Sequence, residues 1–117
     1  MFVIDFQKSL FAYTIISMKN KLIWDETKRQ TNLKKHGLDF ADANIVLESH
    51  YRLDVDVFKN DEVRTQSLSY ALGFLAVLTV VHTARDNATR IISFRRASTA
   101  EREDYYDWLE NKHHDKK

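Results

Sequence analysis

The stretch Phe74-Leu-Ala-Val-Leu-Thr-Val-Val-His-Thr83 decides the fold. It is apolar at consecutive positions until His82, the pattern of a strand buried on both faces, so it predicts the centre of a sheet. Upstream, Val63 to Leu72 reads as a neighbouring strand, with Gly73 marking a tight connection between the two. Further upstream, Tyr51-Arg-Leu-Asp-Val-Asp-Val57 alternates apolar and polar residues, as a half-buried strand does, and a loop around Lys59, Asn60 and Asp61 turns the chain back. Downstream, Ala84-Arg-Asp-Asn87 reads as a turn into a strand at about Thr89 to Arg96. Consecutive strands joined by short connections make an antiparallel meander.

Helices flank this meander. Leu22 to Trp24 reads as a short strand, after which Asp25 is a good N-cap for a helix from Glu26 to His36, and Gly37 supplies its left-handed end. That helix has a net charge of +3 and Leu33 as its only large apolar residue, so it is mostly wet and basic. A second, short helix is expected from Ala41 to Glu48, where Phe40, Ala43, Val46 and Leu47 recur at roughly helical spacing. Ser98-Thr-Ala-Glu101 is a capping box, and Tyr105, Trp108 and Leu109 place an apolar stripe on the helix that follows, with a charged, frayed tail from Asn111 to Lys117. The fold class is α+β: a short strand and two helices, then an antiparallel sheet meander and a C-terminal helix.

Composition narrows the chemistry. A chain of 117 residues with 44% hydrophobic content fits one cytoplasmic domain with one modest core. The absence of cysteine excludes disulfides, thiol nucleophiles and thiolate zinc sites. Two glycines leave no Gly-rich phosphate loop, and neither H-E-x-x-H nor G-x-S-x-G occurs. Residues 1 to 17 are apolar but lack a basic start and are interrupted by Asp5 and Lys8, so they suit neither a signal peptide nor a membrane span. They read as a dispensable extension ahead of a domain spanning residues 18 to 117, with Met18 as an alternative start.

The formal net charge of +1 hides a segregated pattern, with −4 over residues 41 to 62 and +4 over residues 63 to 97. The second segment holds five basic residues, all arginine: Arg64, Arg85, Arg90, Arg95 and Arg96. Arginine offers a planar fork of donors that matches phosphate, which suggests an anion-binding face as well as the blander reading of a solvated strand edge. Strand alternation puts Arg95 on one face with Ser93 and Ile91, and Arg90 and Arg96 on the other with Phe94, so these arginines are not expected to line one site together. Lys34-Lys35-His36-Gly37 places a histidine beside lysines, either to move protons near a phosphate or to complement the helix dipole. Tyr51, Tyr70 and Phe74 could stack bases but are more economically core residues, and His113 with His114 is a weak metal signal, so no metal or other cofactor is expected.

A small basic domain that can hold a polyanion and move protons without a metal suffices for RNA, whose own 2′-OH is the nucleophile. The elements Trp24-Asp25-x-x-Lys28-x-x-x-Asn32-x-x-Lys35-His36-Gly37-Leu38-x-Phe40-x-x-Ala43 and Arg90-Ile91-Ile92-Ser93-x-Arg95-x-Ala97-x-x-x-Glu101-x-x-x-Tyr105 resemble the BrnT family of bacterial toxins, from about Leu22 to Tyr106. The resemblance implies a RelE-like fold and cleavage of RNA that inhibits translation. It also implies neutralisation by a BrnA-type antitoxin and repression of the operon by the complex, with operator DNA touched mainly through the antitoxin. Joining the matched positions to the basic clusters, Lys35, His36, Arg64 and Arg95 are the candidate catalytic residues, and Lys28, Lys34, Arg85 and Arg90 the candidate RNA-binding residues, with Arg64, Lys34 and Arg85 drawn from the charge pattern alone. Two departures stand out: Ser69 where the family has glycine, and Phe94 in place of the small residue of its I-S-A-R segment, where a bulky ring is expected to fill part of a groove or shift the neighbouring arginine. A different class of function is a catalytically inactive module that acts only as antitoxin partner and co-repressor.

Overall fold

The computed structural model of the protein describes residues 21 to 115, with side chains to residue 112. The expected extension over residues 1 to 17 and the side chains of His113 and His114 lie outside the described residues. In chain order the elements are β1 (Leu22–Ile23), α1 (Glu26–His36), a 3-10 turn (Phe40–Asp42), α2 (Asn44–Leu47), β2 (Leu53–Lys59) and β3 (Glu62–Ala71). A second 3-10 turn (Leu72–Phe74), β4 (Ala76–Arg85), β5 (Ala88–Arg96) and α3 (Thr99–Asp115) complete the described chain. No helix among the described residues is long and apolar enough to cross a membrane.

The helix ends follow their local chemistry. Asp25 accepts from the Lys28 N–H at 3.1 Å, Glu26 sits in the first turn, and Lys34, Lys35 and His36 occupy the last turn, where positive charge meets the carbonyl end of the dipole. Gly37 closes α1 at φ 71°, its N–H donating to the Leu33 carbonyl at 2.8 Å. The single helix expected over Ala41 to Glu48 is instead split into the first 3-10 turn and α2. Phe40, Ala43 and Val46 are all fully buried, and their three-residue spacing stays on one side only where the winding is tightened towards three residues per turn. The capping box forms as expected: Glu101 accepts from the Ser98 N–H at 2.9 Å and Ser98 Oγ accepts from the Glu101 N–H at 3.2 Å. Helix α3 continues to Asp115, through residues expected to fray.

The sheet has five strands in the order β1-β5-β4-β3-β2, antiparallel from β5 to β2, with β1 parallel to β5 at the far edge. Asn60 and Asp61 (φ 55° and 60°) and Asp86 and Asn87 (φ 51° and 64°) form two-residue turns with both central residues left-handed, the hand that suits twisted hairpins. The β3–β4 connection differs from expectation. Gly73 lies within the 3-10 turn, the left-handed residue is Leu75 at φ 52°, and β4 begins at Ala76 instead of Phe74.

One irregularity decides which side chains share a face. Val81 pairs with Ser93 but His82 pairs with Ile91, so Ile92 bulges out of the β4–β5 ladder and reverses the alternation beyond it. Ile91 therefore joins Phe94 and Arg96 on the face covered by α1 and α2, and Arg90 joins Ser93 and Arg95 on the face crossed by α3. The regular alternation expected from the sequence, with Ile91 beside Arg95 and Arg90 beside Phe94, is thus corrected. Arg85 and Arg64 also fall on the α3 face, so four of the five arginines between residues 63 and 97 point the same way.

Two cores sandwich the sheet. Leu38, Phe40, Ala43 and Val46 pack on Leu78, Val80, Ile91 and Phe94 beneath α1 and α2. On the opposite face Leu68, Val77, Ala97 and Tyr105 form a smaller core with Leu53, Trp108 and Leu109. Tyr105 donates its hydroxyl proton to the Tyr51 carbonyl at 2.8 Å and accepts from the Tyr70 N–H at 3.2 Å, which fixes α3 across the sheet. Tyr51 and Tyr70 themselves are not core residues: they are 52% and 39% exposed. Phe74 is partly buried against the first core.

Candidate functional site

Because α3 crosses only the end of its face near Leu68 and Val77, the rest of that face carries polar and half-buried side chains. The register aligns Gln66, Val81 and Ser93 in one row, and Leu68, Thr79 and Arg95 in another. Thr83 pairs with Arg90, and Arg64 lies one residue beyond the Thr65–His82 pair, so Arg64 and Arg90 flank β4 about two strand spacings, or ~10 Å, apart. Arg85 extends the cationic track towards the β4–β5 turn. Arg64 is held by Glu62 at 2.8 Å, whereas Arg85 and Arg90 make no ion pair among the described residues.

Arg95 is the most constrained of the set. Its two terminal nitrogens bond the two Glu101 oxygens at 2.8 and 3.0 Å, and Nη1 also reaches the Arg96 carbonyl at 3.4 Å. Glu101 accepts in addition from Thr79 Oγ1 at 3.3 Å and from the Ser98 N–H, and the guanidinium above all holds its carboxyl down to about 2. A guanidinium carries five N–H donors in a fixed plane. The Glu101 pair uses the end-on edge, which leaves Nε–H and one Nη2 hydrogen along the other edge for a second bidentate acceptor such as phosphate.

His36, at the end of α1, is partly buried and close enough to feel Arg95. Burial, then the charges of Lys35 and Arg95, push its pKa below the ordinary value. The imidazole is therefore neutral near pH 7 and able to accept a proton. β1 pairs with β5 only at Thr89 and Arg90, which leaves the part of β5 that carries Arg95 uncovered by a strand. Lys28, Lys34 and Lys35 are exposed along α1.

The structure thus places Lys35 and His36 at the end of α1 within electrostatic reach of Arg95, and lines Arg64, Arg85 and Arg90 along the α3 face with Arg95. Arg64, expected beside Arg95, is grouped by its strand with Arg90 instead. Phe94 lies fully buried in the α1–α2 core, on the side of the sheet away from Arg95, so it fills no part of this face and the expected obstruction is corrected. Ser69 is buried and donates to Ser49 Oγ at 2.7 Å.

Sequence reasoning missed a polar chain on the α1–α2 face, buried at Ser67 and His82 and reaching the surface at Asp54. Ser67 Oγ donates to Asp54 Oδ1 at 2.6 Å and lies 2.7 Å from His82 Nε2, while Arg52 pairs with Asp54 at 2.7 Å and donates to the Leu47 carbonyl at 2.7 Å. With its one proton on the carboxylate, Ser67 accepts from His82, which is the wrong polarity for a serine nucleophile. Reading Asn60-Asp61 as a two-residue turn would have set Asp54 opposite Ser67 and exposed the first link. Among the described residues no group of three or more His, Cys, Asp or Glu side chains converges as metal ligands.

Comparison with known proteins agrees with the sequence motifs. The family described as "Ribonuclease toxin, BrnT, of type II toxin-antitoxin system" matches residues 24–101, which include α1, the meander and the capping box. No curated protein matches.

Proposed function

This chain belongs to the BrnT family, ribonuclease toxins of type II toxin-antitoxin systems, and from that premise we propose that it is a metal-independent endoribonuclease whose cleavage of RNA inhibits translation. The observation that supports the reading is a face lined with Arg64, Arg85, Arg90 and Arg95, with His36 and Lys35 at the end of α1 within electrostatic reach of Arg95.

Neutral His36 accepts the proton of a ribose 2′-OH. The freed oxygen attacks the adjacent phosphorus, and the added negative charge is met by the open edge of Arg95 and by Lys35. The P–O5′ bond breaks as Lys35 protonates the leaving oxygen, giving a 2′,3′-cyclic phosphate and a 5′-OH end, and exchange with solvent resets both groups. Arg64, Arg85 and Arg90 hold the flanking phosphates, with Lys28 and Lys34 extending the track along α1. The fold is RelE-like, the toxin acts in the cytoplasm, and residues 18 to 117 suffice for it. A BrnA-type antitoxin neutralises it, and the complex represses the operon through DNA contacts made by the antitoxin.

The test is cleavage of an end-labelled RNA by the purified protein in excess EDTA, beside His36→Ala and Arg95→Ala variants whose folding is checked by circular dichroism. Expected is cleavage that survives chelation and falls at least a hundredfold in both variants, about 10² being the common worth of a positioned proton-transfer or charge-stabilising group. Folded variants with full activity would overturn the assignment, and loss of wild-type cleavage on chelation would overturn metal independence. Growth arrest on expression without antitoxin separates this reading from the inactive-module alternative.

A further inference from the structure

The two edges of the sheet are treated differently. At one edge β1 covers the start of β5, and Asn32 bonds the main chain of Phe94 where β1 stops. At the other, β2 ends the sheet, and no described residue bonds its outer main chain. The two-residue turn at Asn60 and Asp61 makes Lys59 and Glu62 a hydrogen-bonded pair, so alternation turns the N–H and C=O of Asp54, Asp56 and Phe58 outward. Such an edge accepts a further strand.

Resting on the toxin reading above, we propose that the outer edge of β2 is the docking site for an extended segment of the antitoxin in which apolar residues alternate with Lys or Arg. Side chains on the two faces set that pattern. Val55 and Val57 lie on the α3 face, and Asp54, Asp56 and Phe58 on the other. Phe58 and its cross-strand partner Val63 are 72% and 59% exposed, and Val55 is 41% exposed, so apolar surface flanks the open edge on both sides. Within β2, Asp54 is paired with Arg52 at 2.7 Å and Lys59 is basic, so the uncompensated charge of the edge is that of Asp56, whose one partner among the described residues is the Thr65 hydroxyl at 3.1 Å. A second copy paired antiparallel about Asp56 would set that carboxylate against its own copy, which like charges disfavour, whereas a strand with Lys or Arg at that place meets opposite charge. Acid residues on an edge deter self-association, but deterrence alone gives no reason for leaving Phe58 and Val63 uncovered. Since β2 and His36 lie at opposite ends of the strand order, a strand bound here leaves the cleavage site open.

The experiment uses the full chain with a short peptide in which valine alternates with lysine, and the same peptide with glutamate for lysine. Binding is read by fluorescence anisotropy and located by amide hydrogen exchange. Expected is binding of the lysine peptide with slowed exchange at Asp54, Asp56 and Phe58, at least tenfold weaker in Asp56→Pro, which removes an outward N–H without touching the β2–β3 ladder, and in Asp56→Lys. The glutamate peptide should bind only Asp56→Lys. No binding of the lysine peptide to the wild type, equal binding to Asp56→Pro, or protection located on β5 would overturn the proposal, as would a wild-type dimer joined through this edge. RNA cleavage measured in the same samples should be unchanged by the peptide. Its absence in the wild type would count against the ribonuclease reading, while peptide binding alone decides the edge.

Discussion

Asn32 grips the main chain of Phe94 from both directions, its amide donating to the Phe94 carbonyl at 2.8 Å and its Oδ1 accepting from the Phe94 N–H at 3.2 Å. The same amide donates to the Leu38 carbonyl at 3.0 Å, so one buried side chain fastens α1, the following loop and β5 together. It stands in for the strand that β1 is too short to supply.

Asn32→Ala would leave the Phe94 N–H and C=O buried without partners. The expected loss is about 3 kcal/mol of folding stability, read by chemical denaturation. A loss below about 0.5 kcal/mol would mean that water or a shifted β1 replaces the amide.

Glu101→Gln keeps the capping box but removes the charge opposite Arg95. Because the folded carboxyl titrates at about 2 against an ordinary 4.5, its contribution is complete above pH 4.5 and fades as pH falls towards 2. The variant should be less stable at pH 7 by on the order of 1 kcal/mol after solvent screening, with the gap closing in acid. A gap that persists at low pH would assign the loss to geometry and not to charge.

His82 is lowered first by burial and then by the Arg52 charge, against an opposing pull from Asp54, and His36 is lowered as well. The unfolded chain therefore binds more protons than the folded one just below pH 6.5, so stability falls as pH drops through that value towards the lowered folded pKa. His82→Gln, which preserves a donor for Ser67, should show a shallower decline between about pH 7.5 and 5.5. Identical declines would remove His82 from the acid response.

Leu75 sits at φ 52° and is 77% exposed, so its side chain gains little packing for a left-handed backbone. Leu75→Gly should raise stability by about 0.5 to 1 kcal/mol, the steric relief exceeding the added unfolded-state entropy. Thermal denaturation reads the change, and a lower midpoint would reveal a packing role for the side chain.

Arg90→Ala removes one unpaired cation from the proposed RNA track. Binding of a non-cleavable 2′-deoxy analogue should weaken, and the slope of log affinity against log salt should fall by roughly one unit. An unchanged slope would place the nucleic acid elsewhere.

What was legible in the sequence was local. The N-cap Asp25, the left-handed Gly37 and the Ser98–Glu101 box act within a few residues and each formed where expected, whereas the alternating strand runs over Leu53–Lys59, two residues later than the Tyr51 to Val57 expected, with Val55 exposed. The β3–β4 connection misled because Gly73 advertised a turn whose left-handed residue is Leu75. The site was less readable, since face assignment depends on register across strands. Nothing in Ile91-Ile92-Ser93 marks a bulge: no glycine interrupts it, and all three residues suit a regular strand. Lys35, His36 and Arg95 could be singled out by chemistry, but the electrostatic reach of Arg95 to His36 depends on how α1 packs beside β5.

The unpaired Ile92 also makes the molecule's electrostatics a matter of counting. Were Ile92 drawn into the regular ladder as the partner of His82, composition, net charge and strand propensity would be unchanged, yet Arg90 would trade sides with Ile91, burying a cation and baring an aliphatic chain. The cationic surface is therefore stored as a phase, set by the one residue that stands outside the β4–β5 ladder.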